Sequence, residues 1–324
     1  MLGGGIVFIL SLLAVAGAPS FIVLLAAFTV FFPASGAFVS LTQAELMDAW
    51  PDRQPQVMVR WDLAGSAGAV AGPLLLAAVL AAGGGWRVAY LVLAALALAA
   101  WLGTCLCEPH PAPEGAAASD ADGDPVPGPG FRARAREALA ALRDWSTVRW
   151  VLLIEVADLL VDVLTGFLAL YLVDVTHLAA PIAALAIAIR LGCGLAADAA
   201  LVFVLDRVAD VTVLRASAVA AALAYPGFLL APGPAAKLAI LAVLSAATAP
   251  WYPILQARLY GSLPGRSPVA VTLSSAAALA GGLGPLAVGL IAGAFGLSWA
   301  LGVLVIVPAV VLAGTAGIAA RDTR

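Results

Sequence analysis

Charge is scarce in this chain. Of its 324 residues, 11% are Asp, Glu, Lys or Arg, against roughly 25% in a soluble domain. There is one lysine, two histidines and three cysteines. Three cysteines are too few for a disulfide framework, and Cys105-x-Cys107 has no second pair to complete a zinc site. What is present is apolar: 63% of residues are hydrophobic and the mean hydropathy is +1.06. No soluble fold hides that much apolar surface, so a soluble enzyme and a nucleic-acid binder are both excluded. Arginine supplies every basic residue but Lys237, and alanine and glycine abound, a composition typical of GC-rich bacterial genes.

The apolar residues fall into ten runs, at 2–17, 20–46, 62–83, 86–106, 148–173, 179–203, 212–231, 236–257, 268–294 and 297–319. A spanning helix needs about 20 such residues. The breaks are chemical: Ala18-Pro19-Ser20, Gly83-Gly84-Gly85 and Pro232-Gly233-Pro234 cannot continue a helix. The expected class is therefore an all-α integral membrane protein of ten spans. No basic start precedes the first run, so it does not read as a cleaved signal peptide.

Arginine placement orients the chain. With the segment between the fourth and fifth spans in the cytoplasm, thirteen of the sixteen cations fall inside. Arg87 and Lys237 fall outside, and Arg190 lies within a span. Such an excess is the positive-inside pattern. It predicts a bacterial cytoplasmic membrane, with the linker and the C-terminus on the cytoplasmic side. The linker, 108–147, has a Pro-, Ala-, Gly- and Asp-rich stretch and then a helical stripe of Phe131, Ala135, Ala138, Leu142 and Trp145. Two readings stand for that stripe: an interfacial helix with arginines at the lipid phosphates, or a solvated linker helix.

The chain repeats itself. Residues 43–55, QAELMDAWPDRQP, match 256–268, QARLYGSLPGRSP, at six of thirteen positions and an offset of 213. Ala18-Pro19 and Ala231-Pro232 keep the same offset, and Gly68-x-x-x-Gly72-Pro73 has its counterpart in Gly281-x-x-Gly284-Pro285. A fixed period signals duplicated architecture. The offset covers six spans, an even number, so the halves share one orientation.

On this repeat and charge map the chain resembles the major facilitator superfamily, over essentially its whole length. The Gly-Pro motif at 68–73 resembles one typical of that family's antiporter branches. Leu205-Asp206-Arg207 is similar to a degraded form of its loop motif, with Val202 where glycine is usual. The resemblance implies a two-half bundle with an incomplete first half: 1–107 as four spans equivalent to family helices 3–6, 108–147 as linker, and 148–324 as six spans equivalent to helices 7–12. About 65 residues would be missing relative to the family pattern. The missing helices imply either a misplaced start, a natural truncation, or a partner that supplies them.

Few residues carry chemistry. Glu155, Asp158 and Asp162 are spaced i, i+3 and i+7, which puts them on one helical face. Carboxylates within a span normally face a partner or a wet cavity and mark ion or proton paths. Three together repel when ionised, which favours taking and releasing a proton. Arg190, near mid-span, calls for an acid: one of these three, or Asp198 two turns on. Otherwise it binds an anionic substrate group. Pro33 with Gly36, and Pro250 with Pro253, interrupt equivalent spans of the two halves, which points to a central cavity. Trp251 and Tyr252 beside the latter are candidates to line it, or plain packing. Gln43, Asp48 and Arg53, with Asp206, Arg207, Gln256, Arg258 and Arg266, lie at cytoplasmic helix ends as gate or loop contacts. Gly68, Gly72, Pro73, Gly281, Gly284 and Pro285 serve close packing and bending.

The expected function is secondary transport of a small organic solute by alternating access, as proton-coupled efflux, with no enzyme activity, cofactor or metal. The partners are the lipid bilayer, the solute and protons. Sugar or metabolite uptake is the nearest alternative, and a truncated remnant that does not transport is a third. A Mg²⁺-dependent intramembrane prenyltransferase is the remote one: Glu155-x-x-Asp158-x-x-x-Asp162 and Asp206-x-x-x-Asp210 mimic its Asp-rich motifs, but the duplication is left unexplained.

Overall fold

The computed structural model describes residues 2–106, 131–316 and 318. The Pro-rich stretch at 109–130 lies outside the described residues. Among the described residues every regular element is helical. In chain order they are α1 (Leu2–Gly17), α2 (Phe21–Ala49), α3 (Gln54–Ala81), α4 (Trp86–Leu106), α5 (Phe131–Ala141), α6 (Trp145–Leu170), α7 (Ala180–Val204), α8 (Asp210–Leu230), α9 (Pro234–Thr248), α10 (Trp251–Gly261), α11 (Ser267–Gly281), α12 (Leu283–Phe295), α13 (Leu297–Val303) and α14 (Ile306–Gly314).

The pairs α9–α10, α11–α12 and α13–α14 are each one rod with a break. Proline explains each break. A proline ring clashes with the carbonyl four residues back and offers no N–H. Pro253, Pro285 and Pro308 lie four residues after Ala249, Gly281 and Leu304, where the rods break. Counting each pair once and leaving aside α5 gives the ten rods read from the sequence. Among the described residues eight stretches are long and apolar enough to cross a membrane. Of the other two rods, α1 has 16 residues, and α6 carries Arg149, Glu155, Asp158 and Asp162. Large apolar side chains face outward along the rods, among them Leu223, Leu279 and Leu290. Lipid is the solvent in which such exposure carries no penalty.

The chain divides into two units. The first comprises 1–49 and 68–130, the second 50–67 and 131–324. The boundary therefore cuts α3, and its first turns group with the later helices rather than with residues 1–107.

In the first unit α1 packs on α2 and α4. Phenylalanines join α1 to α2: Phe8 stacks on Phe31 and Phe38 with centroids 5.7 and 5.8 Å apart. Arg87 donates to the Ala18 carbonyl at 2.9 Å, at the C-terminal end of α1.

In the second unit α6 packs on α7, α10, α11, α12 and α14. Its fully buried side chains include Leu160, Leu164 and Leu168 of α6, Leu214, Tyr225 and Phe228 of α8, Leu241 of α9 and Trp251 of α10. Tyr225 anchors its hydroxyl on the Leu301 carbonyl at 2.8 Å. The linker helix α5 packs on α11, with Ala138 and Ala141 buried while Leu139, Leu142 and Trp145 stay exposed. α6 ends in a π-helical turn at Tyr171–Val175.

Candidate acidic site on α6, α7 and the start of α3

Helix α6 delivers Glu155, Asp158 and Asp162 along one face, as the i, i+3, i+7 spacing requires. Glu155 and Asp158 are half-buried and Asp162 is exposed. Each acts on its neighbours electrostatically: Asp162 on Glu155, and both on Asp158.

Arg190 comes from α7 and is 9% exposed. It does not pair with Asp198. Its Nε and Nη2 donate to Thr165 Oγ1 at 3.0 and 2.8 Å, and Nη2 also reaches the Val161 carbonyl at 3.0 Å. These contacts hold the guanidinium on α6 beside Asp162, with which it interacts electrostatically. Thr165 lies seven residues after Asp158, on the same helical face.

Asp198 is bonded elsewhere. Its Oδ2 accepts from Ser66 Oγ of α3 at 2.5 Å. One turn before Ser66 on the same α3 face stands Asp62, which feels the charge of Asp198 and itself acts on Asp158. Asp62 was the sequence's first residue of the third span. The structure starts α3 at Gln54, so Asp62 lies two turns inside it. The site thus gathers five carboxylates and one guanidinium among apolar side chains.

A family model of the major facilitator superfamily matches residues 1–267. The chain belongs to the major facilitator superfamily. It is therefore a multi-pass membrane protein of a family of transporters, not enzymes. The fold agrees. A crystal structure of the Escherichia coli fucose:proton symporter FucP superposes with TM-score 0.76 at 16% identity, over 97% of this chain and 82% of that one. A crystal structure of FucP in the outward conformation gives TM-score 0.72 at 17% identity, over 97% and 81%. No curated protein matches the chain in sequence at a significant level.

The other residues singled out in this superfamily member fall in several places. Trp251 has no exposed surface; its indole N–H donates to Ser217 at 3.0 Å. It is a core residue of the second unit, and Tyr252 beside it is half-buried. Pro250 marks the α9–α10 break, whereas α2 runs unbroken through Pro33 and Gly36. The two glycine motifs also differ. A Cβ at Gly68 or Gly72 would meet nothing within 4 Å, and α3 continues through Pro73. A Cβ at Gly281 would collide with the Glu155 carboxylate, and one at Gly284 would lie 2.6 Å from Leu159 Cδ1.

A cavity of about 940 Å³ opens at one end of the second unit. Gln54, Gln56, Arg149, Asp206, Arg207 and Arg258 line it. Arg258 forks onto Asp210, Nε to Oδ2 at 2.6 Å and Nη2 to Oδ1 at 2.5 Å. Asp210 is the partner that sequence reading did not assign to it. Gln256 bonds Ser274 at 3.3 Å and ties α10 to α11. Gln43 is buried in α2, and Asp48, Arg53 and Arg266 are exposed at or beside helix ends.

Proposed function

We propose that this chain is a secondary transporter that moves a small organic solute by alternating access and couples it to protons through the α6 acids. The observation that carries the reading is the single face of Glu155, Asp158 and Asp162, with Arg190 held beside it by Thr165 and Val161. Carboxylates crowded along one face of a membrane helix repel one another. One proton relieves that repulsion, and a change of access releases it. Arg190 balances one charge and leaves the others to titrate. Asp158 and Asp162 are the coupling residues, and Glu155 supports them.

Efflux by antiport is the preferred direction, on the Gly68-x-x-x-Gly72-Pro73 motif. Symport is the second reading, favoured by fold similarity to a fucose:proton symporter. The membrane is the bacterial cytoplasmic one, with the linker and C-terminus inside, on the arginine distribution.

Proteoliposomes decide between these. Panels of sugars and cationic drugs are added outside vesicles held without a pH gradient. Inward solute movement acidifies the exterior in antiport and alkalinises it in symport. Solute flux with no movement of protons overturns the coupling.

A further inference from the structure

Asp198 is 4% exposed, and only one of its carboxylate oxygens is used. Oδ2 accepts from Ser66, while Oδ1 is buried with no hydrogen-bond partner among the described residues. A buried acceptor left unmade costs about 1–3 kcal/mol, and more when charged. A proton on that oxygen, or a donor brought to it, removes the cost. One proton source lies nearby. Asp62 stands one turn from Ser66 on the α3 face that meets Asp198, and couples electrostatically to Asp198 on one side and to Asp158 on the other.

The same two residues lie near a way out. Asp62 is eight residues after the start of α3 and Asp198 six before the end of α7. At 1.5 Å per residue these are about 12 and 9 Å of helix. The start of α3 and the end of α7 meet where Gln56 Nε2 donates to the Leu205 carbonyl at 3.2 Å, and both residues line the large cavity.

We propose that Asp62, Ser66 and Asp198 form a second proton-holding site, which relays a proton between the α6 acids and that cavity. The proposal deepens the transport reading and rests on it for the use to which the proton is put. The transfer needs no co-reactant. The O–H of a protonated Asp158 breaks as one forms on Asp62, and the Asp62 proton then passes to Asp198 Oδ1. Ser66 keeps its proton on Oγ and donates it to Asp198 Oδ2 throughout, and the total charge is unchanged.

The charged groups around the relay are few. Asp62 interacts electrostatically with Asp198 and with Asp158. Asp198 faces Asp62 and the Ser66 hydroxyl. Asp158 faces Glu155 and Asp162 along α6. Arg190, two turns before Asp198 on α7, is held by Thr165 and Val161 and acts on Asp162.

The test is infrared titration of the purified full chain, which reads the carboxylic-acid C=O band without knowing the solute. Asp198→Asn keeps the Ser66 bond and is expected to remove one protonated-carboxyl component. Asp62→Asn is expected to shift or remove that component, and Asp158→Asn to leave it in place. Ser66→Ala, which leaves every carboxyl intact, is expected to move its frequency. An unchanged Asp198 component in Ser66→Ala, or a spectrum untouched by Asp198→Asn in folded protein, overturns the proposal. Should the Asn variants fail to fold, the Ser66→Ala frequency decides alone. Proteoliposome flux separates the two claims. A relay band without proton-coupled flux leaves the relay and removes the transport reading. Coupled flux lost in Asp158→Asn but normal in Asp62→Asn and Asp198→Asn does the reverse.

Discussion

The carboxylate of Glu155 occupies the space that a Cβ on Gly281 would need. One turn on, Leu159 crowds Gly284, 2.6 Å from where its Cβ would stand, and further along Phe167 comes to 3.9 Å from the same point at Gly289. A ridge of α6 thus lies in a groove of small residues on α11 and α12, the packing that small-xxx-small motifs permit between membrane helices. The acid face is held in register by residues with no side chain to push it away.

Gly281→Ala is therefore expected to displace Glu155 and destabilise the protein by about 1–3 kcal/mol, the usual range for overpacking. Gly68→Ala and Gly72→Ala meet open space and are expected to be neutral or to gain up to about 1 kcal/mol from helix propensity. Thermal unfolding in detergent checks the contrast. Equal losses at all three positions would refute it.

Asp162→Asn is expected to abolish proton-dependent flux while expression and membrane insertion stay normal. The carboxamide is close in size but holds no negative charge opposite Arg190. Flux that keeps its pH dependence in this variant removes Asp162 from the coupling role.

The Asp210–Arg258 fork predicts a non-additive pair. Asp210 is 4% exposed and accepts two bonds from the guanidinium. Losing one partner leaves a buried charge uncompensated, which costs about 3–5 kcal/mol. Asp210→Asn and Arg258→Met should each lower the melting temperature in detergent more than the double variant does. Additive losses would show that the two residues act independently.

Thr165→Val is expected to free Arg190 from its main anchor. The substitution removes the oxygen that accepts from Nε and Nη2 and adds no bulk. Proton-coupled flux should fall while insertion stays normal. An unchanged pH profile would show that Thr165 does not position Arg190.

Ten rods, the break at Pro250 and the α6 acid face were legible in the sequence, because apolar run length, proline and helical spacing are local properties; the interruption expected at Pro33 and Gly36 is absent, since α2 carries its proline without breaking. The partners of the charged residues were not legible. Asp198 stands two turns from Arg190 on the same helix, which made the pair plausible. The structure ties Arg190 to Thr165 and Asp198 to Ser66, 132 residues away. Asp62 was hidden for a different reason. Arg60 and Asp62 raise the polarity of the first turns of α3, so the apolar run starts only at Asp62. The helix begins earlier, because backbone bonding continues through polar residues when their side chains find partners. A register argument from Gln54 would have shown Asp62 and Ser66 on one face.

Lys237 is the only lysine in these 324 residues. It is 6% exposed, clamped on the Phe228 and Leu229 carbonyls at 2.8 and 3.1 Å, with its ammonium over the rings of Tyr171 and Phe228. Arg87 caps the end of α1 in the same way, so both cations that break the positive-inside pattern are spent on helix C-termini. A sole, sheltered lysine makes the chain its own chemical clock, read at this side chain apart from the N-terminal amine. An amine-reactive label should enter this side chain only when the α8–α9 corner and the π-helical end of α6 part. Its rate of uptake would time that opening without any engineered reporter.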